Sequence, residues 1–199
     1  MSKYYPALKS LIDYQDSCMI VIDVQKIFLD KLPDDEIEPL VQRIIWLVKV
    51  ANKLDIPLVV TAEDMDKNGS VIPALEAVLP AGTKIHNKMV FGLAADPGIL
   101  SSVQNTKRKK IILLGLETDV CVAQSAIGLL QHDYQVVVVD DATASPRKAH
   151  QNGLSRIQSA GALISNVKSL FYEWMRTVIK CRNFYGSHED YIGDPGIEL

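Results

Sequence analysis

Short apolar runs rich in β-branched residues recur along the chain: CMIVID (18–23), PLVVTA (57–62), KIILLGL (110–116), QVVVVDDA (135–142) and, more weakly, ALIS (162–165). Their apolar positions are near-continuous rather than alternating, which predicts strands buried on both faces. Between the runs the period becomes helical. Over residues 34–54, Ile37, Leu40, Val41, Ile44, Val48 and Ala51 fall on one face, with Asp34, Asp35 and Glu36 in the first turn, where the helix dipole favours negative charge. Residues 121–131 predict a second helix. Ser145 and Pro146 form an N-cap and N1 pair for a third, and residues 166–180 predict a last helix carrying Val167, Leu170, Phe171, Trp174 and Val178 on one face.

Strands alternating with helices predict an α/β fold with a mainly parallel, doubly wound sheet and helices on both faces. In such sheets the ligand crevice lies beyond the carboxyl ends of the strands, so the residues that terminate the apolar runs carry the functional interest. No internal repeat or interdomain linker interrupts the pattern, and one domain is expected over residues 1–181. From residue 182 onward periodicity fades while Gly, Pro and acids accumulate; this 182–199 tail reads as an arm that packs on a neighbouring subunit or stays mobile, and packing is preferred because the tail keeps Phe184, Tyr185, Tyr191 and Ile192.

Composition narrows the partners. In 199 residues, 21 Lys and Arg face 24 Asp and Glu, and the resulting net charge of -3 provides no general attraction to nucleic acid or to an anionic membrane. No apolar run approaches the roughly 18 residues of a membrane span, and the N-terminal stretch has no apolar core of a secretion signal. A cytoplasmic protein with a small molecule or another protein as its partner is the expectation. The three cysteines, Cys18, Cys121 and Cys181, are widely spaced with no CxxC pair, which argues against a disulfide framework or a structural zinc site.

Three residues at run ends draw attention, each with an ordinary alternative. Asp23 ends the first run, as an acid at the rim of a buried sheet or as a turn cap. Cys121 follows the third clear run through GLETDV and opens a predicted helix. It is either a buried spacer or a nucleophile whose pKa the helix N-terminus lowers. Lys88, in TKIHNKMVFGL, reads by itself as a solvated surface lysine.

Taken together, IVIDVQKIF, KMVFGL and LLGLETDVCVAQSA, followed by DYQVVVVDDATAS, resemble in order and spacing the signature segments of the isochorismatase-like cysteine hydrolase superfamily, over about residues 15–175. The resemblance implies a three-layer α/β/α fold around a six-stranded, mainly parallel sheet, and an Asp-Lys-Cys triad at Asp23, Lys88 and Cys121. It implies an oxyanion hole from the backbone N–H groups of Glu117 and Cys121, with a cis peptide at Leu116-Glu117. It also implies a homo-oligomer, since such proteins are commonly dimers, tetramers or larger rings.

The departures from relatives refine the activity. Nicotinamidases of the superfamily carry an Asp-x-His metal motif after the second strand, but VVTAEDMDKNGS contains no histidine, so neither a metal nor another cofactor is expected. His86, His132, His150 and His188 read as structural. Members that hydrolyse the isochorismate vinyl ether generally lack the cysteine; Cys121 therefore points to a small amide, ureide or carbamoyl substrate hydrolysed through a thioester. Gln25, Phe28, Glu63 and Phe91 are the candidate pocket residues. Gly92 stands where relatives often have serine, which suggests a looser pocket wall. The competing readings are a non-catalytic binding or scaffold protein with a vestigial triad, and a vinyl ether hydrolase. A dinucleotide-binding enzyme is disfavoured because no GxGxxG follows any strand.

Overall fold

In the computed structural model, which describes residues 11–187, the apolar runs and one further segment join in a single six-stranded sheet. The strands are β1 (Ser17–Ile22), β2 (Leu58–Glu63), β3 (Ile85–Lys88), β4 (Lys110–Leu116), β5 (Gln135–Ala144) and β6 (Leu163–Ser165). Their order is β3-β2-β1-β4-β5-β6, and each neighbouring pair is parallel. Parallel pairing demands crossovers, which the helices supply. These are α1 (Lys26–Leu29), α2 (Asp34–Lys53), α3 (Met65–Asn68), α4 (Pro73–Glu76), α5 (Pro97–Asn105), α6 (Ala123–Leu130), α7 (Ala149–Ser159), α8 (Val167–Met175) and α9 (Val178–Ser187).

Side chains alternate across the sheet and divide the core into two layers. Met19 and Val21 of β1 pack with Ile44 and Leu47 of α2 and with Phe171 and Trp174 of α8. Cys18, Ile20 and Ile22 face the other way, toward Val103 of α5, Leu129 of α6 and Ile157 of α7. Helices on both faces of one sheet make the three-layer α/β/α architecture. Burial of each such side chain stabilises the fold by about 1.5–3 kcal/mol. Among the described residues, no helix is long and apolar enough to cross a membrane.

Three local expectations change. The last predicted helix is two: α8 stops at Met175, Arg176 takes a left-handed φ of 64°, and α9 restarts at Val178, which is left exposed rather than on the apolar face. The stretch after residue 181 stays helical through Ser187, and Phe184 is buried against Phe171, ring centroids 5.4 Å apart. The 181/182 boundary thus falls inside α9, while His188, Tyr191 and Ile192 lie outside the described residues. Ser145 does not cap a helix either. Its hydroxyl donates to the Asp119 carboxylate at 2.6 Å, Arg147 adopts φ 58°, and α7 begins only at Ala149.

The direction of winding reverses between β1 and β4, which opens a crevice at their carboxyl ends. Close approach of the two strands there depends on Gly115, which pairs with Ile22 at φ 115°; a Cβ on it would lie 2.0 Å from the Ile22 carbonyl oxygen. Gly115→Ala is therefore expected to lower unfolding free energy by at least about 3 kcal/mol in denaturant titration. Gly186→Ala, where a Cβ meets nothing within 4 Å, should change it by less than about 1 kcal/mol. Equal effects would contradict the steric account.

Candidate active site

Asp23 is the first residue past β1. It takes a left-handed φ of 49°, its N–H donates to the Thr61 carbonyl at 3.1 Å, and its Oδ1 accepts from the Thr61 hydroxyl at 2.7 Å. Lys88 ends β3 and is fully buried. Its Nζ donates to the carbonyls of Val90 (2.7 Å) and Phe91 (3.2 Å) and to Cys121 Sγ (3.6 Å). Asp23 Oδ2 lies 2.9 Å from the same ammonium, as an ion pair rather than an aligned hydrogen bond, which leaves that oxygen without an aligned donor. Glu63, ending β2, brings Oε2 to 3.8 Å from Nζ and accepts from the Cys121 thiol at 3.4 Å. The structure therefore gathers Asp23, Lys88 and Cys121, with Glu63 beside them, at the ends of β1, β2, β3 and β4.

Cys121 sits in one π-helical turn, Thr118–Val122, between β4 and α6. The Leu116-Glu117 peptide before it is cis. Each of the next side chains is anchored: Glu117 pairs with Lys31 at 3.1 Å, the Thr118 hydroxyl meets His150 Nδ1 at 2.9 Å, and Asp119 binds Ser145. Of these contacts, none was visible in sequence, because the partners lie 26 to 86 positions away.

The electrostatics overturn one sequence expectation. Burial pushes the Cys121 thiol up, the Asp23 and Glu63 carboxylates add to the rise, and Lys88 opposes it without prevailing. A thiolate would be a third negative charge beside one cation, and that outweighs any benefit from the start of α6. Cys121 is thus a thiol at rest, not a preformed thiolate. Burial also raises the Asp23 carboxyl above the usual carboxylate range, although the neighbouring Lys88 ammonium, the Thr61 hydroxyl and the nearby Cys121 thiol pull it down. Cys18, sealed within β1, is pushed up to about 12 by burial, with Thr106 and Arg108 pulling weakly the other way.

A cavity of about 140 Å³ opens on this group, lined by Glu63, Asp64, Lys88, Met89, Val90 and Phe91. Two predicted pocket residues, Glu63 and Phe91, line it; Gln25 and Phe28 do not. The Gln25 N–H closes back on the Asp23 carbonyl at 2.8 Å, a turn that aims the side chain under β2. There its amide donates to the carbonyls of Glu63 (2.8 Å) and Gly69 (2.7 Å) and accepts from the Glu63 N–H (2.7 Å). Gln25 is a buried clamp on the segment that carries Glu63. Phe28 is core, with the Lys31 ammonium 4.7 Å from its ring centre. Gly92 does not loosen the wall: a Cβ there would stand 3.0 Å from the Gln124 carbonyl, so α6 fills the space a serine would need. Thr61 was missed in sequence; its only signal is a lone polar residue inside PLVVTA.

Asp23, Glu63 and Cys121 also place three potential metal-ligand atoms within 4.8 Å of one another. A divalent ion bonded to all three at ligand distances of about 2.0–2.3 Å would stand within about 5 Å of the Lys88 ammonium in a buried site. That repulsion makes the set a poor metal site, and the cation it does accommodate is Lys88.

Among the other histidines, His86 lies in β3, His150 opens α7 against Thr118, and His132 falls just past the end of α6 rather than within it.

The three-layer sheet with a buried carboxylate, ammonium and thiol at its switch point defines the class, an isochorismatase-like α/β/α protein. The chain belongs to the isochorismatase family: the isochorismatase domain profile matches residues 17–169, and proteins of this family are hydrolases. A secreted isochorismatase effector, Isc1, of Phytophthora sojae is 30% identical over 161 residues, covering 79% of this chain and 76% of that protein. The structure of a MAR1 ribonuclease from Caenorhabditis elegans superposes with TM-score 0.83 at 23% identity, covering 96% of this chain and 97% of that one. That of YcaC from Escherichia coli, described as an octameric hydrolase of unknown specificity, gives TM-score 0.81 at 23% identity, with 94% of each chain covered. At these identities the two structures speak for the fold alone.

The state of the thiol is directly measurable. Thiolate absorbance at 240 nm should show no Cys121 ionisation up to about pH 8.5, the ordinary thiol value. Asp23→Asn should move that ionisation to lower pH by removing a negative neighbour, and a shift to higher pH would contradict the assignment.

Proposed function

We propose that the protein is a metal-independent hydrolase of a small amide, ureide or carbamoyl-type compound, with Cys121 as nucleophile, Asp23 as general base and acid, and Lys88 as their electrostatic anchor. The observation that supports this most is the fully buried Lys88 ammonium, 2.9 Å from Asp23 and 3.6 Å from Cys121, at the floor of an open cavity. An acid whose pKa is raised by burial is a better match for taking a thiol proton than an ordinary carboxylate.

In the proposed sequence Asp23 removes the thiol proton as sulfur attacks the carbonyl carbon. The oxyanion is received by the N–H groups of Glu117 and Cys121, a type of contact whose single donors contribute about 3 kcal/mol. The tetrahedral species collapses with loss of the amine, which takes the proton from Asp23 and leaves a thioester. Water, deprotonated by Asp23, then attacks the thioester, and the departing sulfur recovers a proton. A cavity of 140 Å³ is well below the roughly 300 Å³ at which ordinary ligand pockets begin, which favours a compact substrate. Glu63, at the cavity wall, is suited to accept N–H donors from the substrate, as primary amides and ureides offer.

The proposed setting is the cytoplasm, where three buried free cysteines suit the reducing conditions, although one relative is a secreted effector. We also propose a homo-oligomer, as E. coli YcaC is described to be. Met89 and Phe91, exposed at the mouth of the cavity, are candidates for cover by a second subunit.

The test is a screen of small amides, ureides and carbamoyl compounds for ammonia release. For any compound turned over, Cys121→Ser should abolish release, and Asp23→Asn should lower kcat by about 10²- to 10⁴-fold. Turnover surviving in Cys121→Ser would sink the proposal. Because Asp23 acts deprotonated and its pKa is raised, activity should fall as pH drops through a value above the usual carboxylate range. Glu63→Gln should raise KM by about tenfold with a smaller change in kcat, as loss of a charge-assisted hydrogen bond predicts.

A further inference from the structure

A cleft larger than the cavity beside Cys121 lies elsewhere in the described residues. It measures about 680 Å³, lies between α2, the end of β5 and the start of α7, and is bordered by Lys31, Arg43, Asp140, Ser145, Arg147 and His150. That volume falls within the roughly 300–1,000 Å³ of small-molecule sites. Two wall atoms are buried without a hydrogen-bond partner: Arg43 Nε, a donor, and Asp140 Oδ1, an acceptor. The guanidinium's contact with the Asp141 carbonyl is long, at 3.5 Å. Those two atoms are themselves sealed from solvent, but Arg43 and Asp140 are both part-exposed along the cleft, and a cation and an anion in its walls suit a ligand with opposite ends.

The same walls hold the turn that carries Cys121. Lys31 binds Glu117 at 3.1 Å, His150 binds Thr118 at 2.9 Å, and Ser145 binds Asp119 at 2.6 Å. All three consecutive residues from the cis peptide toward the nucleophile are thus gripped by side chains bordering the cleft. Burial keeps the His150 imidazole below its ordinary pKa, with Asp140 and Glu36 pulling the other way, so at neutral pH it pairs with Thr118 as an uncharged ring.

We propose that this cleft is a second small-molecule site, taking a compact zwitterion whose carboxylate is received by Arg43 and whose ammonium is received by Asp140, and that occupancy is transmitted to residues 117–119. Charge-assisted pairs at both ends favour a molecule carrying both groups over one carrying either. The site is separate from the thiol cluster, and the proposal stands whether or not Cys121 is the nucleophile.

The experiment is calorimetric titration of the full chain with glycine, β-alanine and 4-aminobutyrate, with acetate and ethylamine as single-charge controls. The expected result is saturable binding of at least one amino acid, at least about tenfold tighter than either control, with Arg43→Met and Asp140→Asn each weakening it about tenfold or more. Asp140→Asn preserves side-chain shape and decides the matter if Arg43→Met does not fold. Cys121→Ser should bind like wild type, and hydrogen exchange in a peptide spanning residues 117–122 should slow on binding. Absence of saturable binding, equal binding of the controls, indifference to Asp140→Asn, or binding with unchanged exchange in that peptide would each overturn the proposal.

Discussion

The site depends on one buried ammonium. Lys88 is the last residue of a four-residue edge strand, fully enclosed, and a charge in that position is tolerated only if it is paired and hydrogen-bonded. Asp23 supplies the countercharge, the carbonyls of Val90 and Phe91 take two of its donors, and Cys121 and Glu63 complete the surroundings. Those partners come from the ends of β1, β2 and β4 and from the loop after β3. Satisfying one charge therefore sets the relative positions of four strand ends, and the backbone of β3 is there to deliver it.

The thiol's chemistry follows from that arrangement. One cation is shared among two carboxylates, so a further negative charge on sulfur is disfavoured, and the Cys121 thiol keeps its proton. In the proposed reaction such a thiol, with a base beside it, ionises only as a carbonyl arrives and charge passes to oxygen. The turn around Cys121 needs rigidity for this, and three side-chain contacts supply it. Those contacts come from side chains that border the larger cleft, which has no lining residue in common with the cavity beside Cys121.

Much of the fold was legible because a sheet covered on both faces demands near-continuous apolar runs, and β1, β2, β4 and β5 comply. β3 escaped that reading for the same physical reason it matters. Its residues Ile85, His86, Asn87 and Lys88 are mostly polar, because the strand exists to carry a charge. Lys88 alone resembled a solvated lysine, and only its conjunction with Asp23 and Cys121 suggested otherwise. Gln25 was misread because spacing from Asp23 does not reveal which way the left-handed turn at Asp23 throws the next side chains. The direction of the Cys121 shift was inaccessible too: a helix start is visible in sequence, but burial and Glu63, which outweigh it, are tertiary facts. The break at Arg176 lies within an unbroken amphipathic pattern, so periodicity had no means of marking it.

The central claim is that the Lys88-centred cluster exists to form a bond to Cys121 sulfur. Intact-protein and peptide mass spectrometry of the wild-type chain, quenched in acid during turnover of a substrate found by ammonia release, tests it most directly. The account predicts a covalent acyl adduct on Cys121, of the substrate's mass less its amine, absent from Cys18 and Cys181. Turnover at full rate with no adduct on Cys121, or with the adduct on another residue, would contradict it.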